Sequence, residues 1–132
     1  MSNYEPQFKV KATYMRGGTS KGTFFNIADL PKVAQEDPKK RDKLLQRIVG
    51  SPDVYKQQMD GMGGATSSTS KAILVGKSDV PGHDVDYYFC QVAIDKDFVD
   101  MSGNCGNLSS AVGPFAIKEG LVDNVPENGV CC

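Results

Sequence analysis

The run from Leu108 to Glu119 constrains the fold more than any other part of this chain. Ala111, Val112, Phe115, Ala116 and Ile117 are apolar, Ser109, Ser110 and Gly113 are small, and polar residues gather only at Lys118 and Glu119. A helix with almost no solvated face belongs at the centre of a domain, with other elements packed around it. Pro114 lacks a backbone donor and is expected to kink this helix or delimit its first turns. Gly120 is its expected C-terminal cap. The elements available to surround it are mostly strands. Phe8, Val10, Ala12 and Tyr14 alternate with Lys9, Lys11 and Thr13, which predicts a half-exposed strand from Phe8 to Met15. Thr23–Phe25, Lys71–Val75, Asp84–Ile94 and Phe98–Met101 are further strand candidates, the last following a turn at Asp95–Asp97. An amphipathic helix is expected over Lys39–Val49, with Leu44, Leu45, Ile48 and Val49 on one side. Asp37-Pro38 fits its start and Gly50 its end. Asp29-Leu30-Pro31 reads as a polar connection and Ser78–His83 as a turn.

A length of 132 residues suits one domain, and 39% hydrophobic residues supply a core. Net charge is −1, and no like-charge block exceeds Lys39-Lys40-Arg41. That argues against nucleic acid as the main partner. Apolar runs such as Ala72–Val75 are far too short to span a bilayer. Met1-Ser2-Asn3-Tyr4-Glu5 does not open a secretory signal. The four cysteines are Cys90, Cys105, Cys131 and Cys132. None forms a Cys-x-x-Cys pair, and with His83 as the single imidazole a metal site is not expected. Free thiols in a reducing cytoplasm are the simplest reading. Glu127-Asn128-Gly129-Val130-Cys131-Cys132 resembles a turn with a strand just beginning, so the chain reads as a piece of a longer protein.

Three stretches carry the candidate chemistry. In Gly103-Asn104-Cys105-Gly106-Asn107, a cysteine stands at a helix start, where unpaired N–H groups favour anions and lower a thiol's pKa. The loop is equally compatible with a structural turn holding a buried cysteine. Lys71 follows Ser67-Ser68-Thr69-Ser70 at the mouth of a strand. Lysines are usually solvated surface charges, but one held among small polar groups and withdrawn from water can act as a base. Asp60–Ser70, low in large side chains, is either a linker or a ligand-holding loop. Arg16 precedes Gly17-Gly18-Thr19-Ser20, and an arginine fork with neighbouring N–H groups suits a carboxylate. An exposed arginine in a surface turn is the plainer reading. Neither phosphate-binding glycine signature is present, so no nucleotide is expected. Asp60 and Asp100 are more often turn caps than catalytic. His83 reads as a surface residue, and Met59, Met62 and Met101 read as gap-fillers.

Taken in order, Met15–Gly22, Asp60–Lys71 and Ser102–Asn107 strongly resemble the PrpF family of 2-methylaconitate, aconitate and methylitaconate isomerases, from about Val10 to Val130. The resemblance implies an α/β (α+β) fold like diaminopimelate epimerase: a mixed, largely antiparallel sheet wrapped around a central helix, in two similar domains with the substrate between them. Residues 1–132 match the first, N-terminal domain, truncated, with the second domain absent. The resemblance also implies Lys71 as catalytic base and Cys105 as the active-site cysteine. Arg16, Gly17, Gly18, Thr19, Ser20, Ser67, Ser68, Thr69, Ser70, Asn104, Gly106 and Asn107 would line the carboxylate sites. The implied substrate is a small unsaturated tricarboxylate. Its double bond moves or rotates after proton removal, with no metal or organic cofactor required.

Several alternatives stand beside this expectation. The chain is a non-catalytic module that binds carboxylates or assists an aconitase-type dehydratase, or two copies pair as a homodimer in place of the missing domain. Amino-acid racemisation, which shares the fold by resemblance, ranks lower. It uses facing cysteines, whereas Lys71 and Cys105 are the pair here.

Overall fold

The computed structural model describes residues 9–123 and 125. The strand expected to open at Glu127–Cys132 and the residue Phe8 lie outside these. Strands β1 (Thr13–Gly17), β2 (Ser20–Asn26), β3 (Lys71–Lys77), β4 (Val85–Val92) and β5 (Val99–Asp100) form one sheet in the order β1-β2-β3-β4-β5. Helices α1 (Lys32–Glu36) and α2 (Pro38–Val49) lie between β2 and β3, and α3 (Gly106–Ser109) and α4 (Val112–Lys118) follow β5. The β2–β3 pair is parallel and the other pairs are antiparallel. The fold is therefore mixed α/β with a mostly antiparallel sheet, as the sequence implied.

Because successive strand side chains point to opposite faces, adjacent apolar residues build two cores. Phe25, Ala72, Leu74, Cys90 and Val92 pack with Leu45 and Val49 of α2 on one face. Phe24, Ile73, Val75 and Phe89 pack with Leu108, Phe115 and Ala116 on the other. Burying a large apolar side chain contributes about 1.5–3 kcal/mol, so both helical layers are firmly held. The Phe24 and Phe115 rings meet at 5.4 Å, tilted by 52°, a favourable aromatic geometry. Helix α2 has the expected ends: Asp37 caps Lys39 N–H at 3.0 Å, and Gly50 takes a left-handed φ of 92°.

Three local expectations change. The first strand begins at Thr13, because the preceding segment leaves the ladder and is tied to the end of α4 by Lys11–Glu119 at 3.3 Å. Val10, Ala12 and Tyr14 share one side, as their alternation predicts, and line an open groove of about 600 Å3 beside α2, while Met15 packs into the opposite core. The residues after Leu30 form the short helix α1, whose first turn bonds to the Pro31 carbonyl; five residues are too few to show a period. The apolar run from Leu108 divides into α3 and α4 around Ser110-Ala111, with Pro114 in the first turn of α4, where its missing donor is harmless. Gly120 closes α4 at φ 72°, with Leu121 N–H bonding Ala116 O at 2.9 Å. Only one side of α4 is buried: Phe115 and Ala116 meet the sheet, whereas Gly113, Pro114 and Ile117 are exposed.

Candidate active site

Parallel pairing of β2 and β3 brings their N-terminal ends together, and Lys21 N–H bonds Ser68 O at 3.0 Å across that end. Ser20 and Lys71 thus emerge side by side. Lys71 shares the face of Ile73 and Val75, so its side chain runs toward α3. There its ammonium donates to Ser20 Oγ at 3.0 Å and to Cys105 Sγ at 3.2 Å. It also stands 5.8 Å from the Phe89 ring centroid. Lys71 is 8% exposed, Cys105 7% and Ser20 1%, an unusual depth for a lysine.

Cys105 is the N-cap of α3, and its sulfur accepts the Leu108 N–H at 3.4 Å. Burial pushes this thiol up. The Leu108 N–H, the Lys71 ammonium and the Ser20 hydroxyl together outweigh that and hold it below the ordinary thiol value. Helix α3 is a single turn, so these three donors, not a helix dipole, stabilise the thiolate. Cys90 shows the contrast: with no exposure and no such donors, burial pushes its thiol up to about 12. Cys105 is the activated sulfur of the two.

The glycine loop serves the cysteine loop directly. A Cβ on Gly17 would meet Asn107 O and lie 2.9 Å from Leu108 Cα, and one on Gly18, where φ is 56°, would meet the Asn107 amide. Only glycine permits so close an approach. Asn107 Nδ2 then donates to Thr19 Oγ1 at 3.0 Å. Gly106 is exposed at the rim. Asn104 Oδ1 accepts from Cys105 N–H and from Tyr87 Oη, each at 2.8 Å.

The serine-rich loop is knotted by a residue that sequence reasoning missed. Gln58, 1% exposed, donates from Nε2 to Ser51 Oγ at 3.0 Å and Ser70 Oγ at 2.8 Å, and its Oε1 accepts Ala65 N–H at 2.8 Å. Ser70 is fully buried, and its hydroxyl donates to Val92 O at 2.6 Å. Its side chain is thus engaged within the fold, between Gln58 and Val92, one residue before Lys71. Thr69 Oγ1 is engaged with Thr66, and the Ser67 carbonyl accepts from Gln91. Nothing local to Gln58 marks it in the sequence. Tyr87, the other missed residue, alternates with Phe89, which was a legible hint.

Arg16 does not join the cluster. It is exposed and pairs in register with Lys21, on the sheet face opposite Ser20 and Lys71. Asp100 caps Ser102 N–H at 2.8 Å, and Asp60 lines the groove beside α2. No helix among the described residues is long and apolar enough to cross a membrane.

The mixed α/β domain thus presents a buried lysine against a cysteine, two groups chemically able to exchange a proton. The PrpF protein family model matches residues 7–131, and the chain belongs to that family. It is 62% identical to 2-methyl-aconitate isomerase of Shewanella oneidensis, over 99% of this chain and 34% of that protein. It is 64% identical to the enzyme of the same name from Cupriavidus necator, over 95% and 32%. The 3-methylitaconate isomerase of Eubacterium barkeri is 49% identical over 95% and 32%. The crystal structure of methylitaconate-delta-isomerase superimposes with a TM-score of 0.78 at 50% identity, covering 88% of this chain and 28% of that one. These relatives are isomerases, and the chain spans about a third of the length of the curated relatives it matches.

Proposed function

We propose that this chain supplies the lysine–cysteine wall of an isomerase acting on small unsaturated tricarboxylates of the 2-methylaconitate type. The observation that carries the reading is the buried Lys71–Cys105 contact at 3.2 Å, supported by the names of relatives more than 60% identical. Moving the double bond of such an acid requires removing a proton from a weakly acidic allylic carbon. The ion pair and its neutral tautomer differ by one proton across that contact. In the neutral tautomer Cys105 holds the proton and the Lys71 amine is the base. On taking the substrate proton, Lys71 becomes an ammonium beside the developing enolate-like charge and stabilises it without reorganisation. The delocalised anion has a weakened C=C bond. Return of the proton to the same carbon after rotation gives cis–trans isomerisation; return to the other allylic carbon moves the double bond. Cys105 serves as proton partner, and Asn104, Gly106, Asn107 and Thr19 form the rim available to carboxylates. Arg16 reaches substrate in this reading only from beyond the lysine face.

In the same reading residues 1–132 are one domain of a two-domain enzyme whose second half closes the cleft, and turnover belongs to the longer protein. An aconitase-type dehydratase is then a functional partner through shared tricarboxylates. The test is proton NMR of 2-methyl-trans-aconitate in D2O, with this chain and with a chain extended to the length of its relatives. The extended protein is expected to incorporate deuterium and form isomer, and its Lys71→Ala variant to do neither. Undiminished exchange in Lys71→Ala would remove Lys71 from the mechanism. The second reading is a non-catalytic module that binds carboxylates. The open side of α4 and the separation of Arg16 from Lys71 favour it for the isolated chain. Turnover by the chain alone would exclude it, and concentration-dependent sedimentation would show whether a homodimer accompanies that turnover.

A further inference from the structure

We infer that Cys105 and Lys71 form a covalent capture site for conjugated electrophilic alkenes, in which the Cys105 sulfur adds to the β-carbon of an α,β-unsaturated carboxylate or amide and Lys71 protonates the α-carbon. In this step an S–C bond forms, the C=C π bond breaks, and one N–H bond of Lys71 is exchanged for a C–H bond. The product is a thioether beside a neutral amine, which regains its proton from water. No oxidant or reductant is involved.

The geometry supplies both halves of the reaction at once. Nζ and Sγ are 3.2 Å apart, and Ser20 Oγ stands 3.0 Å from the nitrogen and 3.7 Å from the sulfur. Once sulfur bonds the β-carbon, the α-carbon lies one bond further on, within reach of Nζ. The Leu108 N–H and the ammonium hold the Cys105 thiol below its ordinary value, which favours the thiolate, the form that attacks. Among the described residues the hydrogen-bond partners of Lys71 are Ser20 and Cys105 and no carboxylate, so its proton is not drawn toward an acid. Both residues keep less than a tenth of their exposure, so a small acceptor such as acrylamide has the readiest entry. Isomerisation makes no bond to sulfur. Capture is a separate reaction, and it needs only side chains present in this chain.

The test compares acrylamide, which requires thiolate and a proton, with iodoacetamide, which requires thiolate alone. Adducts are located by peptide mass spectrometry in the folded and the urea-unfolded chain. In the folded chain Cys105 is expected to react with acrylamide on the order of tenfold faster than when unfolded, with Cys90 unreactive. The acrylamide-to-iodoacetamide rate ratio at Cys105 should also be higher in the folded chain. Lys71→Arg keeps a cation beside the sulfur but releases its proton far less readily. It should retain most of the iodoacetamide reaction while losing roughly tenfold with acrylamide, the scale of a positioned general acid. An equal rate ratio in folded and unfolded chains overturns the proposal, as does proportional loss of both reactions in Lys71→Arg. The ratio needs no variant, so it decides the matter even if Lys71→Arg does not fold. Neither readout depends on isomerisation, and failure here leaves the deuterium-exchange test standing.

Discussion

Replacing Gly17 with alanine tests how the two loops are fitted together. Gly17 does not have a positive φ, so alanine can adopt its backbone and the effect is steric. The new methyl would lie 2.9 Å from Leu108 Cα and closer still to Asn107 O, whereas ordinary contact begins near 3.4 Å. Both neighbours are backbone atoms and cannot rotate away. The first turn of α3 must therefore withdraw by at least the difference between 2.9 and 3.4 Å, about 0.5 Å, and by more at the carbonyl. Three hydrogen bonds span this seam: Asn107–Thr19 at 3.0 Å, Lys71–Cys105 at 3.2 Å and Cys105–Ser20 at 3.7 Å. Overpacking of this kind costs about 1–3 kcal/mol, a large share of the roughly 5–15 kcal/mol that holds a domain. Weakening the ammonium–sulfur contact should also raise the Cys105 thiol toward its ordinary value. The assays are urea unfolding and the pH midpoint of Cys105 alkylation. Gly113→Ala is the control: it lies in exposed helix with nothing within 4 Å of the new methyl, and should gain about 0.5–1 kcal/mol. A Gly17→Ala protein with wild-type urea midpoint and wild-type alkylation midpoint would refute the fitted-loop argument.

Gln58→Ala deletes three hydrogen bonds and leaves the Ala65 N–H without its partner; at about 0.5–1.5 kcal/mol each, the loss should be roughly 2–4 kcal/mol by urea unfolding. Less than about 1 kcal/mol would mean that the serine loop is held by other means. Stability should also depend on both thiols, with opposite signs. The folded Cys105 value is depressed, so its contribution is complete above the unfolded value of about 9 and is lost as pH falls through the folded value. Cys90 is pushed up to about 12, so its contribution holds below the unfolded value and declines as pH rises toward 12. Urea midpoints across pH should lose the first dependence in Cys105→Ala and the second in Cys90→Ala; unchanged slopes would contradict the assignment.

Much of this architecture was legible because it rests on local physics. The short apolar runs Phe24-Phe25 and Ala72–Val75, each beside a glycine- or serine-rich loop, read as strands without knowledge of their partners. Asp37-Pro38 and Gly50 delimit α2 through capping and left-handed backbone, which depend on the residues themselves. The three glycine- and asparagine-rich motifs marked Lys71, Cys105 and Ser20 before any contact was known. Other features were not legible because they depend on partners distant in the chain. Alternation put Val10, Ala12 and Tyr14 on one side of the first strand, but not that the sheet has a core on each face, so that Met15 packs inward while Tyr14 is exposed on a groove. The division of the apolar run into α3 and α4 accompanies the use of Cys105 as a cap. Gln58 is an unremarkable polar residue until Ser51, Ala65 and Ser70 converge on its amide. Arg16 and Ser20 are near neighbours in sequence, yet the sheet register sends them to opposite faces. The sequence determined which residues were chemically equipped. The tertiary structure alone decided which of them meet, because a contact across 34 residues between Lys71 and Cys105 is set by parallel strand pairing and by glycines small enough to let two backbones touch.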